Sequence, residues 1–333
     1  MPFSGKIKHT GIHLSKALAL AGVLLFFGVV VWDSIHPPIP SQQNPIVFYC
    51  SHKHNLKQIL LHHLGKAKKS LFITIYGLTD LDVLSLLQKK AQEIEVEVFF
   101  DSEGSKQLAK EGTSFFPCAP IRSGGLAHRK IVVIDDRLVL LGSANMTPQS
   151  LKMHDNIVVA LEHEPLSHFL KYSLENELSF SISGQRAKIH LLPDTDKKAL
   201  SDILQALHLA KKRICIAMFT FTHPTLIEAL IEAHRRGVLV QVALDHYSAK
   251  GASQSCKQTL ENEGICLKQS QGGKLLHHKW CWIDEEIFLL GSANWTEAAF
   301  TKNEDCILWL KDLTPKQNAF ISSLWKKIEL DAI

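Results

Sequence analysis

HRKIVVIDDRLVLLGSANMT (His128–Thr147) and HHKWCWIDEEIFLLGSANWT (His277–Thr296) are two copies of one pattern, offset by 149 residues. In each, a His and a Lys stand two apart (His128 and Lys130, His277 and Lys279), which period-two alternation on a strand places on one face. An apolar run leads to Asp135 or Asp284, and Gly-Ser-x-Asn follows as Gly142–Asn145 or Gly291–Asn294. A trailing acid closes each copy, Asp155 before Asn156 and Glu304 before Asp305. A lone His on a strand is ordinarily a packed residue, but packing does not reproduce this whole set twice.

The similarity extends outward from these blocks, as an internal duplication should. AKKSLFITIYGLTD (Ala67–Asp80) matches AKKRICIAMFTFTH (Ala210–His223), and VEVFFD ending at Asp101 matches VQVALD ending at Asp245. Leu56, Ile59, Leu60 and Leu64, like Leu200, Ile203, Leu204 and Leu207, follow helical spacing behind the caps Asn55 and Asp196. Strands are predicted at 72–76 and 214–219, helices at 81–90 and 225–236, and strands again at 96–100 and 238–244. The runs 131–134 with 138–141, and 280–283 with 287–290, read as hairpins across acidic turns. Strand–helix alternation with hairpins predicts α/β units on mixed sheets, with lobe one at 41–181, lobe two at 185–333 and a hinge at Ser183-Gly184.

Composition agrees with an ordered protein: 333 residues, 46% apolar, 21% charged and a net charge of +4. That excess is too mild to be a nucleic-acid footprint by itself. Residues 1–40 are predicted to form a signal anchor with a Pro-rich spacer. Lys6, Lys8 and Lys16 precede the uncharged run Ala17–Trp32, which as a helix spans about 24 Å. No small-residue cleavage site follows it, and the basic flank places the remainder outside the cytoplasm; a cleaved signal peptide is the alternative. Cys50, His52, His54, His62 and His63 match no zinc spacing and are read as loop and helix-surface positions. The seven Cys contain no C-x-x-C pair and no disulfide is predicted.

The repeated residues suit phosphodiester cleavage without a metal or other cofactor. Lys ammonium and Asn amide groups bind non-bridging oxygens and the charge that builds on them. Ser143 and Ser292 offer further donors, and Gly142 and Gly291 allow close backbone approach. One imidazole attacks phosphorus if a carboxylate fixes its tautomer; a second, protonated, serves the leaving alcohol. One half-site lacks that second histidine, and the other copy supplies it, so a single chain suffices and a monomer is expected.

H-x-K-x4-D followed by G-S-x-N, twice in one chain, resembles the phospholipase D superfamily over most of residues 45–310. The resemblance implies a bilobal α/β/α sandwich, one site between the lobes and a phosphohistidine intermediate. It implies His128 as nucleophile and His277 as general acid, with Lys130, Lys279, Asn145 and Asn294 on the phosphate. Asp155 and Glu304 would then orient the histidines, and Asp135 and Asp284 would be structural. The substrate expected is a membrane glycerophospholipid, cleaved to phosphatidate and head group. GSANWTEAAFTKNED is also similar to small nucleases of the superfamily, so nucleic acid is the alternative substrate; phosphatidyl transfer and non-catalytic lipid binding are further ones.

Overall fold

In the first half the chain forms β1 (Ile46–Cys50), β2 (Ser70–Ile75), β3 (Glu95–Phe100), β4 (Cys118–Pro120), β5 (Lys130–Ile134), β6 (Leu138–Gly142), β7 (His154–Asp155) and β8 (Ile157–Glu162). The second half continues with β9 (Glu177–Ile182), β10 (Gln185–Leu191), β11 (Arg213–Met218), β12 (Leu239–Leu244) and β13 (Cys266–Gln269), then β14 (Leu275–Leu276), β15 (Lys279–Ile283), β16 (Ile287–Gly291) and β17 (Cys306–Lys311). This computed structural model describes residues 22, 38–112 and 116–332. Among them no helix is long and apolar enough to cross a membrane, and the anchor read from the sequence lies almost wholly outside the described residues.

Two mixed sheets result. Their orders are β1-β8-β6-β5-β2-β3-β4 and β9-β10-β17-β16-β15-β11-β12-β13, so seven strands correspond one to one. In each, parallel pairs (β2–β3, β11–β12) adjoin an antiparallel hairpin (β5–β6, β15–β16). The hairpin turns place Asp135 and Asp136, and Asp284 and Glu285, at positive φ, a conformation that aspartate accepts more readily than most residues. The eighth strand of the second sheet is β9, which pairs with β10 across Ser183-Gly184. Both turn residues have positive φ (49° and 82°), as a two-residue hairpin with strand-like twist demands. The expected hinge is therefore a turn inside the second sheet, and residues 177–181 belong to that sheet rather than to lobe one.

Alternation decides the layering. Ile131 and Val133 face a core shared with Trp280, Trp282, Phe288 and Leu308, whereas Val132 and Ile134 face the first half's own helices. Helices Leu56–Gly65 and Leu81–Lys90 cover the outer face of the first sheet, and Lys198–Leu209 and Pro224–Arg235 that of the second. Helix Pro315–Leu330 sends Ile321, Leu324, Trp325 and Ile328 into the shared core. Each sheet thus has helices on its outer face, and the inner faces of the two sheets meet in a shared core that also takes in helices Glu164–Tyr172 and Pro315–Leu330. Asn55 caps its helix as expected, but Asp194, not Asp196, accepts the Lys198 and Ala199 amides of the next.

Candidate active site

His128 and His277 lie two residues ahead of the first residues of β5 and β15, where each half reaches into the other. The His128 amide donates to the Glu304 carbonyl (2.8 Å), and the His277 amide to the Asp155 carbonyl (2.9 Å). Ala127 bridges Glu304, and β14 pairs in parallel with β7. Asp101 and Asp245, which directly follow β3 and β12, hold the segments before the histidines by accepting the Ala127 (2.8 Å) and Leu276 (3.0 Å) amides. Each histidine is therefore fixed by its own sheet and by the opposite half.

The side-chain partners are crossed in the same way, one residue beyond those expected. His128 Nδ1 meets Asp305 Oδ1 at 2.7 Å, and His277 Nδ1 meets Asn156 Oδ1 at 3.0 Å. Glu304 and Asp155 point elsewhere. The Glu304 carboxylate faces Arg129 at 3.6 Å, and Asp155 faces His52 at 3.7 Å. Successive side chains in extended backbone leave on opposite sides, so once residues 155 and 304 spend their carbonyls on the histidine amides, the next residues meet the rings. Asn156 Nδ2 donates to the Ser150 carbonyl (2.8 Å), which turns Oδ1 toward the ring.

Ser143 and Ser292 are corrected likewise. Both are fully buried and donate to the orienting groups, Ser143 to Asn156 (2.8 Å) and Ser292 to Asp305 (2.6 Å), so neither reaches the phosphate site. Gly142 and Gly291 make this possible. A Cβ there would run into the Ile157 and Cys306 carbonyls of the neighbouring strands. Asp135 accepts the amides of Lys68, Lys69 and Ser70, and Asp284 those of Lys211, Lys212 and Arg213. They tie each hairpin turn to the entry of β2 or β11, as structural residues.

Lys130 and Lys279 are buried. Each ammonium donates to the carbonyl of its own histidine, at 2.6 and 2.8 Å, and lies over an aromatic ring, Tyr76 at 5.2 Å and Phe219 at 5.0 Å. The same rings flank His128 and His277 at 5.2 Å. Burial pushes Lys130 down to about 7, and burial with the Lys130 charge pushes Lys279 well below its ordinary value. Burial, the two lysines and the neighbouring histidines hold His277 far down; burial outweighs Asp305 at His128, which is lowered too. Asp305 stays below the ordinary carboxylate range because His128, Lys130 and Ser292 outweigh its burial. Two lysines and two imidazoles thus surround one occupied carboxylate, a centre short of negative charge. Asn145 sits at this centre's edge with its Oδ1 buried and unpartnered among the described residues; the Asn294 Oδ1 accepts the Thr220 amide at 3.3 Å.

Several of the other histidines and cysteines singled out in the sequence are packing elements. His63 is buried against the Tyr49 hydroxyl (3.0 Å) and Cys50 is fully buried, so those two are not surface positions. His278 is buried on the face opposite the site, beside Trp280 and His52. Cys256 and Cys266 are free, one buried and one exposed.

A family model described as "Cardiolipin synthase, PLD-like domain" matches residues 60–177 and 203–328, both halves of the duplication. Mitochondrial cardiolipin hydrolase of Xenopus laevis is 38% identical over 122 residues, 36% of this chain and 57% of that protein. Cardiolipin synthase 1 of Bacillus anthracis is 26% identical over 38% of this chain and 27% of its own length. The chain spans about half the length of the curated relatives it first matches. Phosphatidylserine synthase of Haemophilus influenzae superposes over 92% of this chain and 91% of its own, with TM-score 0.71 at 16% identity, a likeness of fold. With the family match running through both H-x-K blocks and this fold around them, the chain belongs to the phospholipase D superfamily.

Proposed function

We propose that the protein hydrolyses a membrane glycerophospholipid at the phosphodiester that joins phosphatidate to the head group, through a phosphohistidine. The observation that carries this reading is the buried meeting of Lys130, Lys279, His128 and His277 around a single carboxylate, Asp305, that is already engaged by His128 and Ser292. Lipid is favoured over nucleic acid by relatives named for cardiolipin hydrolysis and synthesis, and by the apolar N-terminal run, which would keep the enzyme at a membrane.

The orienting groups support a division of roles. His128 Nε2 attacks phosphorus, and the ring becomes an N-phosphorylated cation while its Nδ1–H stays on Asp305. A carboxylate neutralises that cation; an amide does not. Asn156 fixes the His277 tautomer without stabilising its charge, so the imidazolium that forms beside the bound phosphate is a ready proton donor. It protonates the leaving alkoxide and becomes neutral. Water enters, His277 takes its proton, the hydroxide displaces His128 from phosphorus, and the starting forms return. Lys130 and Lys279 offset the charge on the equatorial oxygens, which grow more negative at each transition state, and the Asn145 and Asn294 amides donate hydrogen bonds to them.

The test is the full chain in mixed micelles with cardiolipin or phosphatidylcholine, beside single-stranded DNA, with and without EDTA. Lipid cleavage that survives EDTA is expected. Cleavage of DNA alone would overturn the lipid reading, and activity lost to EDTA and restored by a divalent ion would overturn the metal-free mechanism.

A further inference from the structure

The two halves differ at one position beside the catalytic centre whose side chain the fold does not use. Asn303-Glu304-Asp305 and His154-Asp155-Asn156 are equivalent. The Asn303 side chain has a structural task, its Oδ1 accepting the Leu126 amide at 3.1 Å. Its counterpart His154 has none. That ring is partly buried at the start of β7, its Nδ1 has no hydrogen-bond partner among the described residues, and its centroid lies 5.7 Å from that of His277. His128, His277, Lys130 and Lys279 all have internal partners. His154 does not.

We propose that His154 is a specificity-determining residue that binds a second phosphate carried by the leaving group, which makes a two-phosphate glycerophospholipid of the cardiolipin type the favoured substrate. The inference rests on the lipid reading above and on His277 as the proton donor to the leaving oxygen. Whatever the leaving alcohol carries then continues past His277, and His154 stands beside that ring with its Nδ1 unpartnered among the described residues. The spacing between the rings suits groups joined by a short glycerol bridge rather than the far ends of a lipid.

Electrostatics support the assignment. His154 is lowered by burial and by the Lys279 charge, against which Asp245 acts in the other direction; His277 is the other titratable group facing it. An incoming phosphate reverses this balance, so the ring takes up a proton as the second phosphate seats and forms a charge-assisted hydrogen bond. A lipid with one phosphate gains nothing from it.

The experiment compares cardiolipin with phosphatidylglycerol in mixed micelles, using the full chain, His154→Asn and His154→Lys. The Asn variant restores the side chain that the other half tolerates at the same place. Its KM for cardiolipin is expected to rise about tenfold, with kcat and the KM for phosphatidylglycerol little changed. The wild-type preference for cardiolipin should fade as pH rises, whereas His154→Lys should hold it, since its cation persists. Parallel losses on both lipids, or an intact preference in His154→Asn, would overturn the inference and leave the lipid reading standing. A wild type that cleaves neither lipid would bring down both.

Discussion

The two halves share seven strands in one order, yet they meet the reacting centre with different side chains. His128 has a carboxylate behind it and a tyrosine beside it; His277 has an amide, a phenylalanine and a third histidine. The backbone frame is conserved between the halves, down to Asp101 with Asp245 and Ser105 with Ser253, which hold equivalent loop amides. Duplication built a symmetric cage, and in the proposed mechanism single substitutions inside it separate a nucleophile from an acid.

The largest expected effect comes from removing either imidazole. His128→Asn and His277→Asn should each lower kcat by several orders of magnitude, and the double variant should be little worse, because the two act as one unit. Steady-state kinetics on the three variants measures this; a single variant that kept more than about a tenth of wild-type turnover would break the shared site. Rapid acid quenching should find the phosphoryl group on a peptide containing His128. Label on His277 would invert the comparison while leaving the chemistry in place.

Exchanging the orienting groups comes next. Asp305→Asn should lower kcat by about 10²–10⁴, the scale seen when a catalytic imidazole loses its carboxylate. Asn156→Asp should have a smaller effect of another kind. The new carboxylate raises the His277 pKa, so the imidazolium persists to higher pH and the basic limb of the kcat/KM profile moves up. If both changes shifted rate and profile alike, the halves would not be differentiated in the way proposed.

How much of this was legible in the sequence follows from what each residue does. His128, Lys130, His277 and Lys279 repeat at fixed spacing, and alternation alone puts each pair on one side of a strand. The acids were harder, because Asp155 pairs with Glu304 in the alignment as neatly as Asn156 does with Asp305. Only the exchange of backbone hydrogen bonds between the halves decides which residue turns toward the ring, and no local pattern records such a contact. Ser143 and Ser292 escape a sequence reading for a related reason: a hydroxyl beside a phosphate site is a plausible ligand until the strand pairing buries it. Asp101 and Asp245 had a signal, their recurrence at the ends of matching strands.

A milder test addresses the charge at the centre. Sulfate, which does not itself titrate near neutrality, should inhibit with an affinity that is full below about pH 7 and falls above it, because the anion requires the protonated form of Lys130. In the anion-free protein the same shift acts oppositely. The unfolded chain keeps the lysine proton up to its ordinary 10.5 while the folded chain sheds it near 7, so this group's contribution to stability rises with pH across that window. Thermal melts across that range, with and without sulfate, should therefore diverge at low pH and converge at high pH.

The smallest difference is expected where the halves are alike. Asp135 and Asp284 each accept three backbone amides at the entry of β2 or β11, with distances between 2.7 and 3.1 Å. Both lie at the far end of the hairpin strands from the catalytic lysines, at turns with positive φ. Removing either carboxylate forfeits charge-assisted hydrogen bonds worth about 1.5–3 kcal/mol in total once solvent replaces part of them. Asp135→Asn and Asp284→Asn, which keep the turn conformation accessible, should therefore destabilise by similar amounts in denaturant titrations and leave kcat/KM nearly unchanged. A large loss of turnover from one and not the other would mean that the aspartate of that motif reaches the chemistry after all, and that the halves part company in their frames as well as in their side chains.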